Sequence, residues 1–178
     1  MRRVRKIFFI FLALISFLLV ACDKEEKFIG IIDAIGFEMD GTNMYVEVPN
    51  STTTYSFINQ ITVSPLAIWD LYSDLSATNE IVSKTVELLE GDNTVYIKVG
   101  KGKASKIYTV TIKRLQLYQI EFSANGGSGE MNSVAVEANT SITLPKNTFT
   151  KEGYTFTGWS ITSDGYVEYL DEANYTID

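Results

Sequence analysis

Residues 94–113, Thr-Val-Tyr-Ile-Lys-Val-Gly-Lys-Gly-Lys-Ala-Ser-Lys-Ile-Tyr-Thr-Val-Thr-Ile-Lys, contain two apolar runs on either side of a turn rich in glycine and lysine. In the second run Tyr108, Val110 and Ile112 fall on one face, and polar side chains fall between them. Alternation with a period of two is the pattern of a half-buried β-strand. This stretch therefore predicts two successive strands, the second covering residues 107–113.

The same alternation occurs earlier in the chain, in residues 44–48 and 85–89. The sequence Glu90-Gly91-Asp92-Asn93 predicts a turn after the second of these runs. Strands of about six residues, with turns roughly every 8 to 12 residues, indicate a sandwich or a small barrel. Residues 65–75 leave two interpretations. The proline at their start suits the first turn of a helix, whereas β-branched and aromatic neighbours favour a bent strand.

The motifs of this region follow a set order: a Leu88-Leu89 strand, then Gly91-Asp92-Asn93, an alternating strand, and finally Tyr108-Thr109-Val110-Thr111-Ile112-Lys113-Arg114. This order resembles the cadherin-like β-sandwich module of bacterial surface proteins. The match is good over about the last 30 residues and loose over the earlier strands, including residues 67–74. The resemblance implies an immunoglobulin-like fold for residues 28–115, usually found as a spacer or array element.

A different set of motifs follows. Residues 122–127 read Phe-Ser-Ala-Asn-Gly-Gly, at the end of an alternating run that predicts a strand entering a glycine-rich turn. Residues 144–159 read Leu-Pro-Lys-Asn-Thr-Phe-Thr-Lys-Glu-Gly-Tyr-Thr-Phe-Thr-Gly-Trp, which puts Tyr154 and Phe156 on one face, and an Asp164-Gly165 turn comes next.

In this order the motifs resemble the Listeria–Bacteroides repeat, also known as the internalin B-repeat family. The resemblance implies a small β-grasp-like module over residues 116–178, of a kind found on secreted and surface proteins and commonly in tandem. In that family a region like Tyr175-Thr176-Ile177 is followed by another strand, which is absent here. Because an unpaired neighbour is an exposed edge, we expect either a fragment or an incomplete, loosely held module.

The amino end has the pattern of a secretory signal. Arg2, Arg3, Arg5 and Lys6 precede a 15-residue run that is apolar apart from one serine. A permanent transmembrane helix needs roughly 20 apolar residues, so residues 1–21 predict a cleaved signal peptide rather than an uncleaved anchor.

Leu19-Val20-Ala21-Cys22 lies where the apolar run ends, and it resembles the lipobox of bacterial lipoproteins. The resemblance implies cleavage before Cys22 and diacylglycerol on its thiol, often with a further acyl chain on the new amine. Two or more chains give stable anchoring, and residues 22–27 are charged, as in a short tether. The expected location is the outer membrane or cell surface of a bacterium. The alternative is a free cysteine in an ordinary signal peptide.

Composition excludes several classes of function. One cysteine and no histidine leave no imidazole chemistry and no thiolate–imidazole zinc site. Beyond Cys22 there are 22 acids against 11 lysines and arginines, a net charge of −11, which argues against nucleic acid as a partner. We expect no catalytic residue, no metal and no cofactor.

Three sets of polar residues are candidate ligand sites. Gly126-Gly127-Ser128-Gly129 lacks the lysine of a phosphate-binding loop and is followed by an acid, so a hairpin turn is favoured. Asp164, Asp171 and Glu172 lack the spacing of a calcium loop, so a solvated loop is favoured. Nothing in the sequence singles out two carboxylates for glycoside hydrolysis.

Two tryptophans are the remaining candidates for ligand contact. Aromatic side chains in small β domains mostly fill cores, so a core role is favoured for both, more strongly for Trp159 than for Trp69. Trp69 is retained as the candidate ligand residue.

The leading interpretation is a membrane-anchored, non-enzymatic surface lipoprotein acting as a spacer and adhesion module. Its partners would be the bilayer, through acylated Cys22, and a host or cell-surface protein or glycan. One alternative is a lipoprotein that captures glycans. Another is the amino-terminal part of a larger surface protein with its active domain downstream.

Overall fold

The computed structural model describes residues 29–101 and 103–177, and its regular secondary structure is entirely β. This confirms the predicted all-β class. No helix long and apolar enough to cross a membrane occurs in the described part of the chain. The predicted signal peptide (1–21), the lipid-attachment residue Cys22 and the tether (22–27) lie outside the described residues.

Within the described residues, nine strands form a first module with a sandwich-like arrangement. In chain order they are β1 (Ile31–Ala34), β2 (Glu38–Asp40), β3 (Asn43–Val48), β4 (Thr54–Ser56), β5 (Ile61–Val63), β6 (Ile68–Tyr72), β7 (Thr85–Glu87), β8 (Gly91–Lys101) and β9 (Ala104–Arg114). The larger sheet has the order β2-β3-β9-β8-β6, with β3 parallel to β9. The other strands form two antiparallel pairs, β1-β5 and β4-β7.

The β8-β9 hairpin is the longest element and follows the predicted alternation. Its strands pair from Gly91↔Arg114 to Lys101↔Ala104. Tyr108, Val110 and Ile112 are buried, and the residues between them are partly exposed. The predicted face of this strand is therefore confirmed.

The turn predicted at residues 90–93 is shorter than expected, because β8 already begins at Gly91. Gly91 has a φ of +82°, which a glycine adopts at little cost. The side chain of Asn93 then joins the connection to the strand: its amide donates to the carbonyl of Leu89 (2.8 Å), and its oxygen accepts from the Leu89 N–H (2.9 Å). The strand predicted over residues 85–89 is likewise confined to β7.

The ambiguous segment at residues 65–75 contains strand β6, as the β-branched and aromatic content favoured. Leu66 has a φ of +67°, which is incompatible with a continuing helix and bends the chain just before the strand. Leu71 is fully buried on the core side of β6, and Ile68 is exposed on the other side.

A single apolar core lies between the larger sheet and the two strand pairs. Phe57 is fully buried, with Phe37 stacked on it at 5.9 Å between ring centroids and Tyr55 edge-on at 5.3 Å. Tyr108 spans the core from the larger sheet, and its hydroxyl oxygen accepts the backbone N–H of Ile31 at 3.0 Å. Strand β1 is thereby tied to the long hairpin.

The second part of the chain contains four short strands. They are β10 (Leu117–Ile120), β11 (Val134–Glu137), β12 (Ser141–Thr143) and β13 (Asn174–Thr176), in the antiparallel pairs β10-β11 and β12-β13. Val136 and Leu144 are its buried apolar residues among those described. The limits predicted for the two modules stay a prediction.

One strand prediction for this part was wrong. The strand expected up to the glycine-rich turn ends at Ile120, before Phe122. Residues 153–158 lie outside the strands, and Gly153 and Gly158 have φ values of +76° and +149°. Loose packing of the module remains an expectation.

Replacing Tyr108 by phenylalanine tests the tie between β1 and the hairpin. The change keeps the ring and leaves the N–H of Ile31 buried without its acceptor, which costs about 1–3 kcal/mol of unfolding free energy. Tyr45→Phe is the matched control, because its hydroxyl donates to Glu47 at the surface. Urea denaturation should show a clear loss for Tyr108→Phe and a small one for Tyr45→Phe. Equal losses would contradict a structural role for the buried hydrogen bond.

Candidate functional site

The second module contains a cluster of aromatic side chains around Trp159. The ring centroid of Trp159 lies 4.8 Å from that of Phe156, 5.1 Å from Phe122 and 6.2 Å from Phe149. Tilted and edge-on geometries predominate, as aromatic pairs prefer. Segments far apart in sequence therefore meet on one indole ring.

Backbone hydrogen bonds hold Trp159 in position. Its N–H donates to the carbonyl of Tyr169 at 2.7 Å, and its own carbonyl accepts from Glu168 at 2.8 Å. The ring of Tyr169 packs edge-on against that of Tyr175 at 5.2 Å. This links the cluster to β13.

Gly158 makes this close approach possible. A side-chain carbon at this position would collide with the side chain of Val167 and the carbonyl oxygen of Tyr169. Its φ of +149° is also one that other residues rarely adopt. The residue before Trp159 therefore has to be a glycine for this close packing to form.

The cluster borders an open cleft of about 920 Å³. Apolar rings share its wall with hydroxyl groups, including those of Ser160 and Thr162. The Nε1 atom of Trp159 is buried and has no hydrogen-bond partner among the described residues. A buried donor without an acceptor is costly, and because this atom has almost no exposed surface it is a feature of the packing and not a contact point of the cleft.

Large apolar side chains are exposed around the cleft. Tyr154 and Ile161, each 73% exposed, line the cleft together with Val167 (47%) and Phe156 (39%). The amine of Lys151 lies 4.7 Å from the ring centroid of Tyr154. Contiguous exposed apolar groups are typical of interaction sites. This rim and the cleft together form the candidate binding surface.

Trp69, the ligand residue expected from the sequence, lies elsewhere, on the core side of β6. It is partly buried and packs against the core of the first module. The amine of Lys84 lies 4.8 Å from its ring centroid and binds the carboxylate of Asp70 at 2.8 Å. These contacts occupy ring surface that a ligand would need.

The glycine-rich turn uses its backbone amides internally. The N–H of Gly127 donates to Ala124 at 2.9 Å, and that of Ser128 donates to Thr150 at 2.7 Å. A phosphate cradle needs such groups unpaired and pointing at the ligand. The geometry agrees with the hairpin-turn interpretation.

The acids considered for calcium do not converge. Asp171 accepts the backbone N–H of Asn147 at 2.8 Å, and Asp164 and Glu172 are exposed. No group of three or more potential metal-binding side chains occurs within 29–101 and 103–177.

Two carboxyl groups in the described part of the chain have lowered pKa values. Hydrogen bonds from Tyr45 and Lys113 lower the pKa of Glu47, and backbone hydrogen bonds, chiefly from Asn79, lower that of Asp74. The lowered pKa keeps both groups charged, which is the opposite of what a general acid needs. In the same pair, burial and Glu47 raise the pKa of Tyr45 to about 12.

The residues of the aromatic cluster belong to motifs that were found in the sequence. The sequence did not indicate that these residues would come together. Phe122 belongs to one motif, and Phe149, Phe156 and Trp159 belong to another. A core role was predicted for Trp159, and the structure shows a half-buried ring beside a cleft. The cleft itself depends on the loop containing Val167 and Tyr169, for which the sequence carried no signal beyond a turn.

The family model of the Listeria-Bacteroides repeat domain matches residues 118–178. The predicted repeat is therefore confirmed over nearly the whole second module. The match indicates a module of surface proteins, which agrees with the expected location in the bacterial cell envelope. Neither the curated proteins nor the solved structures contain a match to the chain.

Substitution of Gly158 by alanine tests the positioning of Trp159. The new methyl group would meet backbone and the side chain of Val167, so we expect the second module to lose more than about 2 kcal/mol. Gly153→Ala is the matched control: its φ is also positive, but nothing lies within 4 Å of the added carbon. It should cost about 1 kcal/mol. Denaturation followed by Trp159 fluorescence in a Trp69→Phe background measures both, and equal costs would contradict the steric account.

Proposed function

We propose that this chain is a lipid-anchored, non-enzymatic surface protein of the bacterial envelope, in which the first module acts as a spacer and the second as an interaction module. The observation that carries the proposal is the Listeria-Bacteroides repeat match at residues 118–178. The lipobox-like Leu19-Val20-Ala21-Cys22 supports the anchor.

The path of the chain through the first module supports a spacer. Gly30 lies at the beginning of the described chain and donates its N–H to the hydroxyl of Ser64. Its carbonyl accepts the N–H of Ser64, and the chain continues from Ser64 into β6. The chain leaves after Arg114, at the opposite end of the eleven-residue strand β9. The backbone N–H of Ile31 donates to the Tyr108 hydroxyl, so the chain enters near the level of Tyr108, and at about 3.4 Å per residue the stretch of β9 from there to Arg114 is roughly 20 Å long.

The junction between the modules is held by hydrogen bonds around Asn50. Its side-chain amide donates to the carbonyl of Leu115 at 2.9 Å, and its backbone N–H donates to the carboxylate of Glu137 at 2.9 Å. Its carbonyl accepts from Arg114 at 2.7 Å. A bonded junction suits a spacer, because it limits bending between the modules.

An interaction role suits the second module. Its cleft and exposed rim combine aromatic rings with hydroxyl groups, which favour protein or glycan partners. The carboxyl groups with shifted pKa, Glu47 and Asp74, lie in the first module. The aromatic rings and hydroxyl groups of the cleft therefore support the proposal of a binding role rather than a catalytic one.

Changing Cys22 to serine tests the anchor. Serine has no thiol for diacylglycerol, so incorporation of labelled fatty acid in the native bacterium should be lost and the protein should leave the membrane fraction. Lys27→Ser, outside the lipobox, is the control and should be labelled normally. Undiminished labelling of the serine variant would contradict lipidation at Cys22.

Glycan capture is a second candidate, favoured by the cleft and the exposed ring of Tyr154 that lines it. Sugar faces stack on aromatic rings of this kind. Tyr154→Ala removes the exposed ring without touching the aromatic cluster around Trp159, so glycan-array binding should weaken about tenfold. Trp69→Phe should bind like the wild type. Blank arrays for the wild type, with adherence to cells or proteins, would favour the first candidate.

A further inference from the structure

Three lysines lie together beside the turn between β8 and β9, on a protein that is otherwise strongly acidic. They are Lys98, Lys101 and Lys103, and we call them the basic tip. Residues 23–178 carry a net charge of −11, so clustering of positive charge at one end of a module is against the general trend.

A fourth lysine near the turn, Lys106, is used within the fold, because its amine lies 5.0 Å from the ring centroid of the buried Tyr108. The ion pairs of the described chain involve Lys84 and Lys113, and none involves a lysine of the tip. One acid, Asp70, lines the same hollow, and its carboxylate is bound by Lys84 at 2.8 Å. The tip therefore presents net positive charge to solvent.

Exposed apolar side chains adjoin these lysines. Leu66 is 77% exposed and Ile68 is 70% exposed. Both line a shallow hollow of about 390 Å³ together with Lys98, Lys101 and Lys103. A patch that combines cationic groups with protruding apolar side chains is complementary to the interface of an anionic bilayer, where the amines meet headgroups and the apolar groups meet the acyl boundary.

The tip lies at the end of the module where the chain enters from its amino terminus. Gly30 donates its N–H to the Ser64 hydroxyl at 3.3 Å and accepts the Ser64 N–H at 3.0 Å. Leu66 follows two residues later, and Ile68 pairs with Gly100 beside the tip. The second module leaves from the opposite end, after Arg114.

We propose that the basic tip binds anionic lipid headgroups and seats the first module on the membrane that holds its acyl anchor. The proposal rests on the lipid anchor at Cys22 proposed above. It adds an orientation: the tip faces the bilayer, and the second module with its aromatic cleft points away from it.

The short tether between Cys22 and the first module keeps the basic tip near the lipid surface, so that even a weak contact is formed. The seven residues from Cys22 to Phe28 span at most about 25 Å, so the tip stays close to the lipid surface. Each lysine near an anionic surface strengthens binding about fivefold. A few lysines therefore bind a protein that is free in solution only weakly to the membrane. A short tether supplies an effective concentration in the millimolar range, at which such weak contacts are populated.

The test uses the full, acylated chain reconstituted in vesicles of phosphatidylcholine, alone or with phosphatidylglycerol. A fluorophore on Ser105→Cys, at the exposed edge of the hollow, reports energy transfer to a headgroup acceptor. We expect transfer to rise when phosphatidylglycerol is present and to fall in 1 M salt, where the screening length is about 3 Å. Flotation of the protein with the vesicles in that salt reports the anchor separately.

A double variant, Lys101→Ser with Lys103→Ser, should lower the ratio of seated to unseated tip about 25-fold. The matched control, Lys113→Ser with Lys146→Ser, removes the same charge away from the tip and should leave the ratio unchanged. Equal transfer in the two vesicle types, with the protein still floating, overturns the tip proposal alone. Failure to float overturns the anchor. If soluble dextran sulfate changed the fluorescence of the labelled tip and phosphatidylglycerol did not raise energy transfer, the ligand would be an anionic glycan. That result would also overturn the lipid proposal.

Discussion

The paired ladder of β8 and β9 is the constraint on which the first module depends. Its two strands pair over eleven residues and turn Val95, Ile97 and Val99 to the same side as Tyr108, Val110 and Ile112. Both neighbouring strands of the larger sheet add to this hairpin, β3 on one side and β6 on the other. The strand pairs across the core are shorter, and β1 is tied to the hairpin by the Tyr108 hydroxyl. Register errors in this ladder would therefore turn the apolar face outward and remove the core at once.

The two modules differ in how they are held together. The first has a continuous apolar core, whereas the second combines two short strand pairs with an aromatic cluster and leaves several large apolar groups exposed. Stability and exposure of binding groups oppose each other, because every apolar side chain left in solvent contributes less to folding. This difference is consistent with the roles proposed for the two modules, the first as a spacer and the second as an interaction module. Hydrogen bonds around Asn50 connect the two.

Much of the fold was predictable from local patterns. Alternation in residues 107–113 indicated the strand and its buried face, and β-branched content around Trp69 indicated β6 rather than a helix. Motifs such as Phe122–Gly127 led to the correct repeat family. A prediction failed at Phe122, where the alternating pattern continues but the paired strand has already ended at Ile120.

The amino-acid sequence by itself determined the all-β class, the repeat in the second module and the expectation of a lipidated Cys22, because these depend on periodicity and on motifs contiguous in the chain. Tertiary structure decided which residues meet. It brought Phe122, Phe149 and Phe156 onto Trp159, and it covered part of Trp69 with Lys84. It also set the lysines around the β8-β9 turn at the same end as Gly30. Such placements follow from strand pairing across long stretches of chain, which local patterns do not specify.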